Sequence, residues 1–499
     1  MAAGTPTSPP DVGNETSDLD PRRWKSLMVL GLVQFILVLD VTVVNVALPR
    51  IQADLGFTHA GLAWVVNSYV IVAAGLLLLG GRLGDFFGRR RLFFVGVALF
   101  AVASLTSGMA LSAEMLVISR FVQGAGEAMA APAALGLIVL IFTDPAERAK
   151  ALGIAGGIAG IAGISGVVLS GLVTEFISWR VLFLINVPIA IFAVLAVRKL
   201  VDESRMERNG QRLDVAGALT ATLGLIALVY GLIEAAAAPW SAPQVVLPLV
   251  SGGALFGLLI LIEHRTASPL IPRGFFANRT RVAANLTGLL YLSGFVTYTF
   301  MQTLYGQQVL GFTPLQSGLL AIPFGIVFGL GIGLGAALSA KLGVRMLLAG
   351  GYLLSGVGLL VASIITPDST YLNGILPGQL IFGLAAGLVA PAIGQAAVHG
   401  VTKQDSGLAS GIQQSVQQLG SALGLALLVT LALRSAADQT AGGVAQAAAD
   451  TAGYALAFQI AAVVMVVASV LAFTLLGRVL TADELEAKEE ADPPAPITG

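Results

Sequence analysis

The chain has 499 residues, of which 56% are apolar and 11% charged, and its mean hydropathy is +0.87. Soluble domains lie nearer roughly 45–50% apolar and 25% charged, so a large soluble protein is excluded and a polytopic membrane protein is implied. A net charge of −1 and the absence of cysteine exclude a nucleic-acid partner, a polybasic anchor, disulfides, thiol catalysis and cysteine metal sites.

Residues 1–26 are mostly polar and read as a flexible cytoplasmic tail, not a cleaved signal peptide. Fourteen apolar runs follow, each near the roughly 20 residues that a spanning helix needs. They begin near Leu27, Leu62, Leu92, Met115, Ala151, Arg180, Leu213, Val245, Val282, Leu315, Arg345, Asn373, Gly407 and Tyr454. Residues 478–499 form an acidic, proline-rich tail. With the N-terminus in the cytoplasm, 23 of the 27 Lys and Arg residues fall in inside segments. Only Arg50, Arg180 and Arg434 fall outside, and Arg120 lies within a span. That asymmetry places both termini in the cytoplasm.

The second inter-span loop reads "LGDFFGRR" (83–90) and the tenth reads "LSAKLGVR" (338–345), an offset of 255. The same offset carries the first span start onto the ninth and the fifth onto the thirteenth. Two six-helix units therefore lie in parallel, at 27–200 and 282–477, with two extra helices inserted in the linker 201–281. Parallel six-helix halves are the plan of major facilitator transporters. The expected fold class is thus an all-α, fourteen-helix major facilitator fold arranged 6 + 2 + 6.

Arg120 and Glu127 are seven residues apart in the fourth span, on one face and about 10 Å apart along the axis. An ionisable group at the bilayer centre costs about 2.5–3.5 kcal/mol even on the insertion scale, so this face needs partners or a wet cavity. Asp40 in the first span falls at a depth similar to Arg120 and can pair with it; Glu127 lies deeper, near the midplane. Burial without a cation favours a neutral acid, whereas an arginine neighbour favours a carboxylate. By environment Glu127 is therefore the better proton carrier. The alternatives are that Asp40–Arg120 is a structural ion pair and that Glu127 is a polar wall. Gln34, Asn45, Gln123, Tyr298 and Gln302 complete the expected cavity, with further candidates in Asn67, Tyr69, Gln379, Gln414 and Gln417. Two carboxylates and one arginine in an apolar, aromatic cavity favour bulky lipophilic substrates, with a tilt toward cations.

Four stretches carry a family resemblance: "LDVTVVNVALP" (39–49), "GRLGDFFGRRR" (81–91), "RFVQGAGEA" (120–128) and "WRVLFLINVP" (179–188). They resemble the signatures of the fourteen-spanner drug:proton antiporters of the major facilitator superfamily, and the likeness runs from about Leu27 to Gly477. It implies multidrug efflux coupled to protons by alternating access, and a multi-pass protein of the bacterial inner (plasma) membrane. A dedicated exporter of one native metabolite, antibiotic or lipid is the alternative on the same fold. The implied partners are lipophilic small molecules, protons and the bilayer, acting on a functional monomer. By family pattern Asp40 is the better proton carrier. Gly81, Gly84, Asp85, Gly88 and Arg89 match a conformational latch, with Arg148 as the expected partner of Asp85; the alternative is that the basic run serves only topology. The fifth span departs from the pattern at Val167 and Ser170, where proline and glycine are usual. It keeps Gly156, Gly160, Gly163 and Gly166 for close helix packing. Glu127 replaces a small residue, and Ala340 aligns with Asp85. The sequence has no P-loop, no nucleophile–base constellation and no metal-ligand spacing, so no cofactor, no metal and no enzyme activity are expected.

Overall fold

The computed structural model describes residues 22–58, 61–142, 144–201, 214–266, 269, 271, 273–397, 399 and 406–477. Thirteen of its helices are long and apolar enough to cross a membrane. In chain order they are α1 (Arg23–Leu55), α2 (Ala63–Phe87), α3 (Arg89–Gly108), α4 (Ala113–Ile141), α5 (Pro145–Phe176), α6 (Trp179–Leu200), α7 (Val215–Glu234) and α8 (Pro243–Arg265). After α9 (Arg279–Leu304) come α10 (Pro314–Ser339), α11 (Val344–Ala362), α12 (Tyr371–Ala397), α13 (Ser406–Ala441) and α14 (Gln446–Leu475). Helix α9 is as long as the others but more polar, carrying Asn285, Thr287, Ser293, Thr297 and Gln302. It occupies the ninth place, so fourteen long helices stand where fourteen apolar runs predict them. The tails at 1–21 and 478–499 and the stretch 202–213 of the linker 201–281 lie outside the described residues.

Helices α1–α6 pack among themselves, as do α9–α14. The two groups meet along α2 against α13 and along α5 against the start of α10. The inserted α7 packs on both α2 and α13, while α8 packs on α7 and is the least buried of the thirteen apolar helices.

Local chemistry sets the ends. Ser112 accepts a hydrogen bond from Met115 N (3.2 Å) and Asp144 from Glu147 N (2.8 Å), satisfying first-turn donors of α4 and α5. Asn278 does the same for Thr280 and Arg281 of α9, and Thr313 with Gln316 forms a reciprocal capping box ahead of α10. The internal repeat reappears in the backbone. Gly88 between α2 and α3 has φ 100° and ψ 130°, and Gly343 between α10 and α11 has φ 77° and ψ 151°. This combination is open almost only to glycine, so both loop copies depend on it for the same turn.

Candidate functional site

A buried polar network sits inside the N-terminal bundle. Arg120 on α4 forms an ion pair with Asp40 on α1, and both are almost wholly buried. The guanidinium also donates to Val65 O (3.0 Å) and Gln123 Oε1 (3.0 Å), and it lies 4.3 Å from the centre of the Tyr69 ring. Asp40 Oδ1 accepts from Gln123 Nε2 (2.7 Å) and Asn186 Nδ2 (2.9 Å), and Ser104 Oγ accepts from Gln123 Nε2 (2.8 Å). Side chains of α4 and α6 thus converge on the α1 carboxylate, and Ser104 on α3 braces Gln123 behind them. A buried pair survives only when its remaining lone pairs and protons find partners, and this one does so. The expected pairing of Asp40 with Arg120 is present. Asn186 and Ser104 were not anticipated, although Asn186 is a lone amide between apolar residues in the "WRVLFLINVP" stretch.

Glu127, two turns along α4, is also buried, but its Oε2 has no hydrogen-bond partner among the described residues. Its polar neighbour is the Tyr69 hydroxyl. Tyr69 therefore touches both sides of the arrangement, with its ring on Arg120 and its hydroxyl toward Glu127.

A cavity of about 500 Å³ lies between the two bundles. The N-terminal bundle contributes Thr42 and Asn45 on α1, Val66 and Val70 on α2, and Gly160 and Gly163 on α5. The C-terminal bundle contributes Tyr298 and Gln302 on α9, Phe324 and Phe328 on α10, and Gln414 and Gln417 on α13. The aromatic rings touch: Phe324 and Phe328 stack at 5.9 Å, and Tyr298 meets Phe324 at 6.2 Å. Of the expected cavity residues, Asn45, Tyr298 and Gln302 line it. Gln34 instead donates to Ala131 O (3.2 Å), and Gln123 belongs to the Asp40 network. Asp40, Arg120 and Glu127 do not line the cavity either, which corrects the expectation of a charged wall. The packing of α1, α3, α4 and α6 around them draws their side chains into the bundle.

The cavity is closed at the end opposite the termini. A π-helical turn at Tyr305–Val309 follows α9 and presents two glutamines. Gln307 donates to Val46 O (2.9 Å) and Gln308 to Gln52 Oε1 (3.1 Å), both on α1. Nearby, a Cβ on Gly171 would stand 2.6 Å from Pro314 O, so α5 and α10 touch there through glycine. Toward the termini the same helices part. A Cβ at Gly156, Gly160 or Gly163 on α5, or at Gly329 or Gly333 on α10, would meet nothing within 4 Å. The expected close packing at Gly156, Gly160 and Gly163 is therefore absent, and only Gly166 is closely approached, by Thr42.

Of the latch glycines, Gly81 and Gly84 lie in the last turns of α2 and only Gly88 forms the turn to α3, while Arg89 Nη1 donates to Gly136 O on α4 (3.0 Å). Arg148 donates to Phe142 O (2.9 Å). The side chain of Asp85 lies outside the described residues. Glu147, not anticipated, pairs with Arg23 at 2.8 Å.

Two helical bundles around a shared cavity, with repeated glycine turns, agree with what comparison finds. The model of the Major Facilitator Superfamily matches residues 30–425. The chain belongs to the major facilitator superfamily. This major facilitator is 38% identical to the puromycin resistance protein of Streptomyces alboniger over 395 residues, covering 78% of each chain. It is also 38% identical to the cephamycin export protein of Amycolatopsis lactamdurans, covering 77% of this chain and 80% of the relative. Among solved structures, a bacterial homologue of the human lysosomal transporter Spinster superposes with a TM-score of 0.64 at 17% identity, covering 91% of this chain and 97% of that one. That last likeness establishes the fold. With bacterial relatives and thirteen apolar spanning helices, the facilitator is a multi-pass bacterial membrane protein.

Proposed function

We propose that this chain exports lipophilic drugs or antibiotics from the cell in exchange for protons, as a monomer rocking its two bundles, 27–200 and 282–477, about the central cavity. The observation that carries the reading is the pairing of a shared, largely apolar cavity with a buried acid, Glu127, whose Oε2 has no hydrogen-bond partner among the described residues of the N-terminal bundle. An acid in such a place can bind and release a proton with little rearrangement, because no hydrogen bond to its Oε2 has to break first. Asp40, held by Arg120, Gln123 and Asn186, serves as the fixed counter-charge. Tyr69 bridges the two and can transmit a change at Glu127 to the position of Arg120. The resistance and export functions named for the relatives support the direction of transport, and the basic residues of the loops support cytoplasmic termini.

The test is accumulation of ethidium and of several chemically unrelated dyes in cells with and without the protein, before and after an uncoupler. Lower accumulation that the uncoupler restores is the expected result. Unchanged accumulation for every dye would remove the broad-export reading. It would favour a dedicated exporter of one native compound, a reading supported by relatives that are each named for a single antibiotic.

A further inference from the structure

The walls of the central cavity say what kind of cargo it can hold. Among the described residues that line it there is no Asp, Glu, Lys, Arg or His. Asp40, Arg120 and Glu127 do not line it, and Asp40 and Arg120 are already committed to each other and to Gln123 and Asn186. What faces the cavity is aromatic surface and neutral amides, and several of these groups lack partners. Among the described residues, Asn45 Oδ1 on α1 and Gln302 Oε1 on α9 are buried acceptors without a donor, and the Tyr298 hydroxyl and Ser317 Oγ are likewise unsatisfied. Buried amide oxygens left bare are unfavourable, and a ligand that donates to them removes the penalty.

Resting on the export reading above, we infer that the cavity selects uncharged, hydroxyl- or amide-bearing aromatic compounds over permanent cations. Two unsatisfied acceptors lie on opposite bundles, Asn45 on one and Gln302 on the other. A cargo with two separated donors would bridge them, while its ring system stacks on Tyr298, Phe324 and Phe328. A quaternary cation has no donor to offer either amide and would find no counter-ion here. Ring faces attract cations, but they return only part of what is lost when an ion leaves water. The cationic preference expected from the sequence rested on Asp40 and Glu127 facing the cargo, and they do not.

The test uses the full chain in lipid nanodiscs, with chloramphenicol as the neutral probe and tetraphenylphosphonium as the cation. Chloramphenicol is expected to bind at least about tenfold more tightly. Asn45→Leu and Gln302→Leu should each weaken its binding by about tenfold, the size of one well-made hydrogen bond in a buried site. Gln302→Glu should raise tetraphenylphosphonium affinity above that of the parent, a gain that misfolding cannot imitate. The inference is overturned if the parent binds the cation as tightly in competition with chloramphenicol, if it binds no chloramphenicol, or if Gln302→Leu changes nothing. Uncoupler-sensitive efflux of both probes from cells is measured alongside. Binding with the expected preference but without efflux would sink the export reading and leave the cavity's selectivity standing.

Discussion

The two six-helix bundles share a plan and a glycine turn, yet they bury different chemistry. The N-terminal bundle buries Asp40 and Arg120 in a polar network, with Glu127 two turns away on α4. The equivalent place in the C-terminal bundle holds Tyr291, Phe295, Tyr298, Tyr352 and Phe382, which meet ring to ring. Duplication supplied the scaffold twice, and side-chain choice then divided the labour. One bundle buries its charge away from the central cavity, and the other adds a neutral, aromatic wall to that cavity. On the export reading proposed above, that separation would let a proton site titrate without demanding a particular charge on the substrate.

The comparison can be broken most severely at Glu127. Glu127→Gln is expected to abolish drug-driven proton release in proteoliposomes while leaving cargo binding in place; proton release like the parent's would move coupling elsewhere. Next comes Asp40→Asn. Removing one charge of a buried pair costs about 3–5 kcal/mol, so the thermal midpoint of the purified protein should fall clearly. A midpoint within a degree of the parent would show that the network carries no structural weight. On the other side, Tyr298→Phe should leave the thermal midpoint almost unchanged, because its hydroxyl has no partner to lose. A drop comparable to that of Asp40→Asn would erase the contrast between the bundles. The smallest effect is expected at the seam. Gln308→Ala removes neutral hydrogen bonds to Gln52 and Tyr454, each worth about 0.5–1.5 kcal/mol, and should shift the population toward opening at that end. Single cysteines placed near Val46 and Gln307 report it by labelling rate, since the chain has no cysteine of its own.

Much of the architecture is written in hydropathy. Fourteen runs at spanning length and a repeat at constant offset are one-dimensional signals, and each has its helix or turn. Depth along a helix was equally legible, because a rise of 1.5 Å per residue puts Asp40 level with Arg120. Rotation about the helix axis was not. Whether Glu127 faces the cavity or the bundle interior depends on how α4 packs against α2 and α3, and no local pattern encodes that. The glycines of α5 failed for a related reason. A small residue permits close approach, but whether a partner arrives depends on where α10 lies, and the start of α10 comes near at Val167–Gly171, past those glycines. Asn186 was legible in principle, as an amide in an apolar run needs a buried partner, but its partner is almost 150 positions away.

Helix α7 is fastened to both bundles. Thr430 and Arg434 on α13 donate to Leu232 O (2.5 Å) and to Ala235 O and Ala238 O (both 2.7 Å), and Thr222 is wedged against Gly75 on α2. This gives the molecule a spine. With one flank stitched shut, the rocking proposed above would spread the halves like the covers of a book, on the flank where α5 faces α10. A molecule dissolved in the leaflet would reach the interior through that fore-edge, without first passing into water.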